Sequence, residues 1–419
     1  MDVSGRARPE VGGSGSPGEG PGADVYLALE ADFRPLGAPA GRRRPPPSGR
    51  RWRSLAMVLA AFGAGMGLNA VILRAGTSSH RPTAVVVPSP PVTHPSRPKT
   101  ATTKIPSTTV PQAPLAWGSP VLMDPGHSPQ AISCPSRLFC VAVDDHGQAI
   151  SYVAGLWHQP IDIDGSQDIS SVSCASADFC VAVDQAGNAI TFDGLGWSRP
   201  VRVDNAGFSE LTSVSCPTSQ FCAAVDGNGN ALVYRDGSWK APTQVDPGGW
   251  TKVSRDVPSV SCPVAGSCVG VGPDQDVFYY VQGSWQSATS ISPGQVAPTV
   301  AYRNAVSCVT AAFCVASENL GQIVVYDGTQ WSAPVTIDPS DFIESVSCPT
   351  VDFCAAVDGL LPQGYNSGSG TANVLLYDGT TWSSPSNVDG EQIVDSIACP
   401  TADFCVAVDR AGDSVTGSG

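Results

Sequence analysis

Cysteine is the residue type whose number and spacing point most clearly to chemistry in this sequence. All 14 cysteines lie after residue 130 and fall into seven pairs with one spacing, C-x5-C. Cysteines paired at a fixed spacing indicate disulfides when the compartment is oxidising. The predicted pairs are Cys134/Cys140, Cys174/Cys180, Cys216/Cys222, Cys262/Cys268, Cys308/Cys314, Cys348/Cys354 and Cys399/Cys405.

Metal binding is the other common use of repeated cysteines, and the sequence disfavours it. After residue 114 there are only three histidines, His127, His146 and His158, and the cysteine pairs lie in separate repeats. We also find no G-x-S-x-G motif and no His/Cys/Asp cluster along the chain. We therefore predict no catalytic residue, no metal ligand and no cofactor. Calcium stays open as an alternative, although no EF-hand-type run is present.

The elements that must position the cysteines form a repeat of about 40–51 residues. A small-residue strand such as SVSC leads through a short turn to a second strand, FCVAVD or FCAAVD. A third strand ends in an aromatic residue, and a glycine-containing turn leads to a fourth strand that opens with tryptophan. Four short antiparallel strands per unit indicate the blade of a β-propeller, with each cysteine pair joining the first two strands.

The number of blades follows from the tryptophan strands, of which there are seven. Trp117 precedes the first cysteine pair, and no tryptophan strand follows the last pair, so the N-terminal strand must complete the C-terminal blade. We predict an all-β, seven-bladed β-propeller over residues 115–419, closed in this way. The tryptophans are Trp117, Trp157, Trp197, Trp239, Trp285, Trp331 and Trp382.

The repeat form SVSCPT-x-x-FC-x-AVD…YDG-x-x-W resembles cell-surface seven-bladed propeller repeats of actinobacteria. The turns FDGLGW, YDGTQW and YDGTTW are similar to the Asp-box turn of sialidase-type propellers, although Asp and Gly are adjacent here. A sialidase also needs a clustered arginine triad, and the seven arginines after residue 114 are scattered along the chain. The resemblance therefore implies a bacterial surface propeller and gives no reason to expect hydrolase activity.

One face of the predicted propeller carries all the variable connections. The first–second and third–fourth turns keep their length, whereas insertions occur at 247–258, 293–304 and 359–372. Insertions on a repeat scaffold gather on one face, which is often the binding face. Tolerated surface variation is the alternative explanation. The residues of these insertions that suit recognition are Trp250, Tyr302, Arg303, Tyr365 and Asn366.

Aspartates at strand ends should lie on the same face and form two concentric acidic rings that attract a cation or a basic partner. The alternative is that each aspartate caps its own turn. Second strands end in Asp144, Asp184, Asp226, Asp358 and Asp409, and fourth strands end in Asp124, Asp164, Asp204, Asp246, Asp338 and Asp389.

The first 114 residues differ in composition from the rest. We predict a disordered cytoplasmic segment (1–53), a transmembrane helix (54–74) and a Pro/Thr/Ser-rich stalk (75–114). Residues 55–73 carry no charge, and nine arginines precede them, which predicts a single-pass anchor in the cell membrane with the propeller outside. A cleaved signal peptide is the competing interpretation. Residues 115–419 carry 9 Lys+Arg against 31 Asp+Glu, which argues against nucleic acid as a partner.

These observations favour a recognition module that binds a protein or a cell-envelope glycan on the variable-loop face. Two other functions stay open. One is a glycoside-acting enzyme on a propeller scaffold, although symmetric carboxylates suit a scaffold better than a unique active site. The other is a passive structural ectodomain.

Overall fold

The computed structural model describes residues 115–205, 210–246, 257–272, 276–291, 304–318, 321–359 and 372–419. These residues form seven antiparallel sheets of four or five strands. None of them belongs to a helix that could cross a membrane, and the predicted span, residues 55–73, lies outside them. We number the sheets as blades 1 to 7 by their cysteine pairs, so that blade 1 contains Cys134 and blade 7 contains Cys399.

Each blade begins with an inner strand, which pairs with a second strand. The inner strands are Pro129–Ser136, Ile169–Ser176, Leu211–Thr218, Ser259–Val264, Val306–Thr310, Phe342–Thr350 and Val394–Thr401. The second strands are Phe139–Asp144, Phe179–Asp184, Phe221–Asp226, Ser267–Gly272, Phe313–Glu318, Phe353–Gly359 and Phe404–Asp409. Their alternating small and β-branched residues are buried, because the second strand lies inside the sheet and between two neighbouring blades.

A third strand and a short, often interrupted outer strand complete each blade. The third strands are Gln148–Val153, Asn188–Phe192, Asn230–Arg235, Asp276–Val281, Gln322–Tyr326, Asn373–Tyr377 and Asp413–Ser418. The outer strands, from blade 1 to blade 7, are Leu156–Trp157 with Ile161–Asp162, Val201–Arg202, Ser238–Trp239 with Thr243–Gln244, Ser284–Trp285 with Thr289–Ser290, Val335–Thr336, Ser386–Asn387, and Ala116–Trp117 with Val121–Leu122.

Alternate connections of such a meander lie on the same side. We call the side with the second–third turns and the connections between blades the loop face. The opposite side, with the first–second and third–fourth turns, is the turn face.

The seven predicted disulfides are present, one in each blade, and every cysteine is used. No bond crosses from one blade to another, as the sequence spacing predicted. From blade 1 to blade 7 the bonds are Cys134–Cys140, Cys174–Cys180, Cys216–Cys222, Cys262–Cys268, Cys308–Cys314, Cys348–Cys354 and Cys399–Cys405.

Each disulfide joins the inner and second strands of its blade, with Cα atoms 4.0–4.1 Å apart. Two strands come this close where their residues face each other directly, as Cys174 and Cys180 do. A loop this short restricts the unfolded chain by roughly 2–2.5 kcal/mol per bond in the loop-entropy model. The cysteines on the second strands are at most 1% exposed: Cys140, Cys180, Cys222, Cys268, Cys314, Cys354 and Cys405.

The constant spacing between the aromatic residue and tryptophan has its cause in cross-strand packing. Tyr152 pairs with Trp157 across the third and outer strands, with ring centroids 5.3 Å apart. The equivalent pairs in blades 2 to 6 have centroid distances of 5.1–5.6 Å. Aromatic pairs at such distances stabilise a sheet beyond the area that they bury.

The ring closes as predicted, through the N-terminal strand. Ala116 and Trp117 pair with Ser418 and Gly417 of the last strand, so the outer strand of blade 7 comes from the start of the propeller. Trp117 lies against Gly417 where other blades carry an aromatic residue, and a Cβ at Gly417 would come within 3.0 Å of the indole. The inner strands of neighbouring blades contact one another around the whole ring, blade 7 to blade 1 included.

The hydrophobic core is divided into seven clusters, one between each two neighbouring blades. The inner edge of each blade has no further strand to pair with, so its backbone groups need other partners. Serine hydroxyls of the preceding blade supply them: Ser133 Oγ accepts the N–H of Cys174 at 2.9 Å. The same bond, at 2.9–3.0 Å, joins Ser173 to Cys216, Ser215 to Cys262, Ser261 to Cys308, Ser307 to Cys348 and Ser347 to Cys399.

The seventh interface, which we call the seam, lies between blade 7 and blade 1 and differs from the others. Ala398 occupies the serine position there, so no hydroxyl faces the N–H of Cys134. A second serine of blade 7, Ser396, still accepts the N–H of Ile132 at 3.3 Å. Arg137 forms an ion pair with Asp403 across the seam at 2.7 Å. The seam is therefore held by a different set of contacts from the other six interfaces.

We predict that Ser347→Ala lowers the free energy of unfolding by about 1 kcal/mol, because the buried N–H of Cys399 loses its acceptor. Ala398→Ser should raise the stability by a similar amount, because it adds the missing acceptor at the seam. Denaturant unfolding of the oxidised protein measures both changes. The exposed Ser119→Ala is the control for loss of a hydroxyl. Equal stabilities of Ser347→Ala and this control would contradict the role of the serines.

Candidate functional site

The central channel opens on the loop face into a cavity of about 130 Å³. All seven blades line this channel mouth with residues at the start of their inner strands or just before it. Three of the lining side chains are polar and buried: Asn304, Glu344 and Asp395 are 6%, 8% and 1% exposed. From blade 1 to blade 7 the residues at this position are Gln130, Ser170, Thr212, Pro258, Asn304, Glu344 and Asp395.

An ion pair fixes one wall of the channel mouth. Arg410 donates from Nε to Asp395 Oδ2 at 2.8 Å and from Nη2 to Asp395 Oδ1 at 2.9 Å. This two-point contact is the geometry in which arginine holds a carboxylate most firmly. The carboxylate of Asp395 is therefore held in one orientation although it is buried.

All three sequence insertions begin or end at the channel mouth. Val257 and Pro258, at the end of the first insertion, and Asn304, at the end of the second, line the cavity. The N–H of Asn304 donates to the carbonyl of Val257 at 3.0 Å, which joins these two ends. The third insertion leaves at Gly359, where a Cβ would come within 2.3 Å of Glu344 Cγ. The variable connections are thus anchored around one polar opening.

The five residues that we singled out for recognition lie outside the described part of the chain. They are Trp250, Tyr302, Arg303, Tyr365 and Asn366. Val257 and Asn304, which flank the first two of their segments, line the channel mouth. Sequence spacing could not reveal this lining, because it is assembled from seven blades.

The disulfides belong to the scaffold and take no part in this lining. The residues around the channel mouth include no cysteine. Each bond lies instead toward the turn-face end of its blade, next to the short first–second turn. The blade 1 bond, Cys134–Cys140, illustrates this, because only five residues separate its two cysteines along the hairpin. The cysteines therefore hold the strands that carry the lining residues.

The aspartates that end the second strands cap their own turns, as one of the two interpretations predicted. Asp226 Oδ1 accepts the N–H groups of Asn228 and Asn230 at 2.9 and 2.7 Å. Asp409 Oδ1 accepts those of Ala411 and Asp413 at 3.0 and 2.8 Å. Carboxylates that accept two backbone N–H groups hold the tight turn to the third strand.

Glycine in the same turns brings the outer strand into place. Gly321 has φ +57° and accepts the N–H of Asp338 at 3.1 Å. A side chain at Gly321 would collide with the backbone of Asp338, and one at Gly412 would come within 2.1 Å of the carbonyl oxygen of Asp124. These turns therefore need glycine both for their backbone conformation and for close approach.

The strand-end aspartates meet in pairs, and the two concentric rings stay a prediction. Five of the aspartates that follow an outer strand approach the second-strand aspartate of the next blade. Because the two aspartates of a pair belong to neighbouring blades, their carboxyl groups meet at the interface between those blades. The pairs are Asp124/Asp144, Asp164/Asp184, Asp204/Asp226, Asp338/Asp358 and Asp389/Asp409.

These pairs hold protons at pH values where aspartate is normally ionised. Burial, and then a hydrogen bond to the partner carboxyl, raise the pKa of Asp164 to about 7 and that of Asp358 to about 8. The same causes raise the pKa of Asp409 to about 7. Two adjacent carboxyl groups cannot both ionise without strong repulsion, which favours a shared proton in these three pairs.

The structure also corrects the prediction that no His/Cys/Asp cluster exists. His127, Asp145 and His146 present ligand-type atoms that all lie within 4.8 Å of one another. His127 precedes the inner strand of blade 1, and the other two residues form that blade's second–third turn. The sequence shows these histidines early in the propeller, but nothing in their spacing indicates that the turn folds back onto His127.

No protein-family model and no curated protein matches the sequence. Solved structures do match over most of the chain. YCF48 bound to D1 peptide has 13% identity and a TM-score of 0.54, covering 74% of this chain and 98% of its own. YCF48 from Cyanidioschyzon merolae has 16% identity, a TM-score of 0.51, and coverage of 72% and 98%. The WD40 repeats of RRP9 have 12% identity, a TM-score of 0.55, and coverage of 73% and 99%.

At these identities the likeness extends to the fold alone. It agrees with the seven sheets and the ring closure described above, and the chain is a seven-bladed β-propeller.

Because these carboxyl pairs bind protons in the folded state, the stability of the protein should depend on pH. A pKa of about 8 for Asp358 in the folded protein, against about 4 in the unfolded chain, means that the folded state holds more protons between these values. The melting temperature should therefore fall as the pH rises from about 5 to about 8. Asp338→Asn should make this fall smaller, because an amide can donate to Asp358 without a shared proton.

Asp246→Asn is the matched control. Asp246 ends the outer strand of blade 3, but the second strand of the next blade ends in Gly272 instead of a carboxylate. This variant should keep the wild-type dependence of the melting temperature on pH. The interpretation of the pairs fails if Asp338→Asn and Asp246→Asn change the dependence equally.

Proposed function

We propose that this protein is a recognition module that binds a basic segment of a partner protein at the channel mouth. The observation that carries the proposal is the convergence of the three sequence insertions on a polar opening that contains buried acidic side chains. A repeat scaffold that varies in length only around one opening is typical of a binding surface.

The charge of the propeller supports a basic partner. Residues 115–419 carry an excess of 22 acidic residues over basic ones (31 against 9). Five carboxyl pairs lie on the loop face around the channel mouth, where Glu344 adds a further acidic group. Such a field speeds the encounter with lysine- and arginine-rich segments and disfavours acidic ones.

Propellers of the same fold give this proposal a precedent. One of the similar structures is YCF48 with a bound D1 peptide, so a chain of this architecture can hold a peptide. The other similar structures include WD40 repeats of RRP9 and U3-55K. A protein segment is therefore the partner class that we propose, in preference to a cell-envelope glycan. That the chain is not an enzyme stays a prediction.

We further propose that the binding face is displayed outside the cell on a membrane anchor, residues 55–73. The uncharged segment and the nine preceding arginines support this topology. Seven disulfides support it independently, because they persist in oxidising compartments. A bacterial surface protein would meet both conditions.

Site-specific photo-crosslinking on the full chain tests the binding face. A photoreactive residue at Gln130, in the lining of the channel mouth, should capture a protein partner through a lysine- or arginine-rich segment. The same residue at Leu195, which is 90% exposed on the turn face, is the control. Capture at Leu195 with equal yield would place the contact elsewhere, and capture of glycan alone would contradict a protein partner.

Binding of the captured partner should then depend on the charge of the channel mouth. Glu344→Gln keeps the side-chain shape but removes the charge, and should weaken binding about 10-fold or more, as loss of a charge-assisted hydrogen bond does. Asp178→Asn removes one exposed charge from the turn face and should leave the affinity within about twofold. Equal affinities of the two variants would contradict the proposed site.

A further inference from the structure

Two of the three histidines in the described residues meet at one place on the seam. His127 lies in the link between the outer strand that closes blade 7 and the inner strand of blade 1. His146 lies in the second–third turn of blade 1, next to Asp145. The third histidine, His158, is exposed and belongs to no such group. The cluster is separate from the residues that line the channel mouth.

The geometry of the cluster suits a single cation. The ring centroids of His127 and His146 are 4.1 Å apart, and the rings are inclined by 42°. Nδ1 of His146 lies 2.8 Å from Asp145 Oδ1, while Nδ1 of His127 is buried and has no hydrogen-bond partner in the described residues. Two imidazoles this close can both donate nitrogen lone pairs to one ion.

The cluster is already held in position by the backbone. Asp145 Oδ1 accepts the N–H of Ser128 at 3.1 Å, and the N–H of Asp145 donates to the carbonyl of Ser128 at 3.1 Å. These two bonds fix the turn of blade 1 against the link that carries His127. Ligands that are held before binding lose less conformational entropy when an ion arrives.

A buried carboxyl pair next to the cluster provides the second, independent observation. Asp124 is 0% exposed, and neither of its carboxylate oxygens accepts a hydrogen bond from an N–H group of the described residues. It faces the carboxyl of Asp144, which is also 0% exposed, and both interact electrostatically with His127. A buried carboxyl without N–H donors is compensated either by a proton or by a cation close by, and His127 and its neighbours offer a place for such a cation.

We propose that His127, Asp145 and His146 form a binding site for one divalent transition-metal ion of the Zn²⁺ type. Two imidazole nitrogens and a carboxylate oxygen are ligands that zinc accepts, whereas calcium and magnesium prefer oxygen ligands alone. The side chain of His146 is 52% exposed, so an ion can enter from solvent. Asp124 and Asp144 compensate the positive charge from the buried side.

Such an ion stabilises ring closure. It ties the link that follows the closing strand to the first blade, at the interface where Ala398 leaves one serine-to-backbone bond unmade. Because the ligands come from two segments that separate on unfolding, the ion binds the folded ring in preference to the unfolded chain.

Metal uptake by the full chain, stripped with a chelator, tests the site. Equilibrium dialysis against Zn²⁺ with elemental analysis should find one ion that His127→Gln and His146→Gln each lose and that His158→Gln keeps. Zn²⁺ should raise the melting temperature of the wild type and of His158→Gln by several degrees, and Ca²⁺ should not. His146→Gln replaces an exposed side chain, so the fold persists and loss of uptake reports on the ligand.

Two results would overturn the site. One is a wild-type protein that takes up no Zn²⁺. The other is an uptake that His127→Gln and His146→Gln leave unchanged, which would locate the ion elsewhere, for example at His80 or His94 in the first 114 residues. Both results leave the proposed binding at the channel mouth intact, because that proposal is tested by Glu344→Gln.

Discussion

The structure depends on how the inner edge of each blade satisfies its backbone hydrogen bonds. An inner strand has a partner on one side only, and its other edge faces the neighbouring blade and the channel. Serine hydroxyls of the preceding blade accept the N–H groups of this edge at six of the seven interfaces. Small serine side chains also let the strands approach closely around a narrow channel, which explains the recurring SxSC sequence.

This arrangement constrains the two faces of the molecule to different degrees. On the turn face, constant hairpins carry the disulfides and the aromatic pairs, and they hold each blade as a unit. On the loop face, connections are free to change length because they leave the ends of strands that are already held. The channel mouth, the carboxyl pairs and the seam cluster all lie on this second face, where the repeat does not constrain the length of the connections.

Contacts within one repeat could be predicted from the sequence, whereas contacts between repeats could not. A hairpin is indicated directly by the spacing of Cys174 and Cys180 and by that of Tyr152 and Trp157. The closing strand is indicated by Trp117, which precedes the first cysteine. The contact between Asp338 and Asp358 could not be predicted, because it joins two neighbouring blades. His127 and His146 are only 19 residues apart, yet their contact requires the turn to fold back on the link, which no periodicity encodes.

The exchange rates of the cysteine backbone amides test the central role of the serine hydroxyls most directly. Residue-resolved hydrogen exchange of the oxidised native protein can compare the seven cysteines that begin the disulfides. The amides of Cys174, Cys216, Cys262, Cys308, Cys348 and Cys399 should be protected, and that of Cys134, which faces Ala398, should exchange about tenfold faster or more. Equal protection of all seven amides would contradict the account.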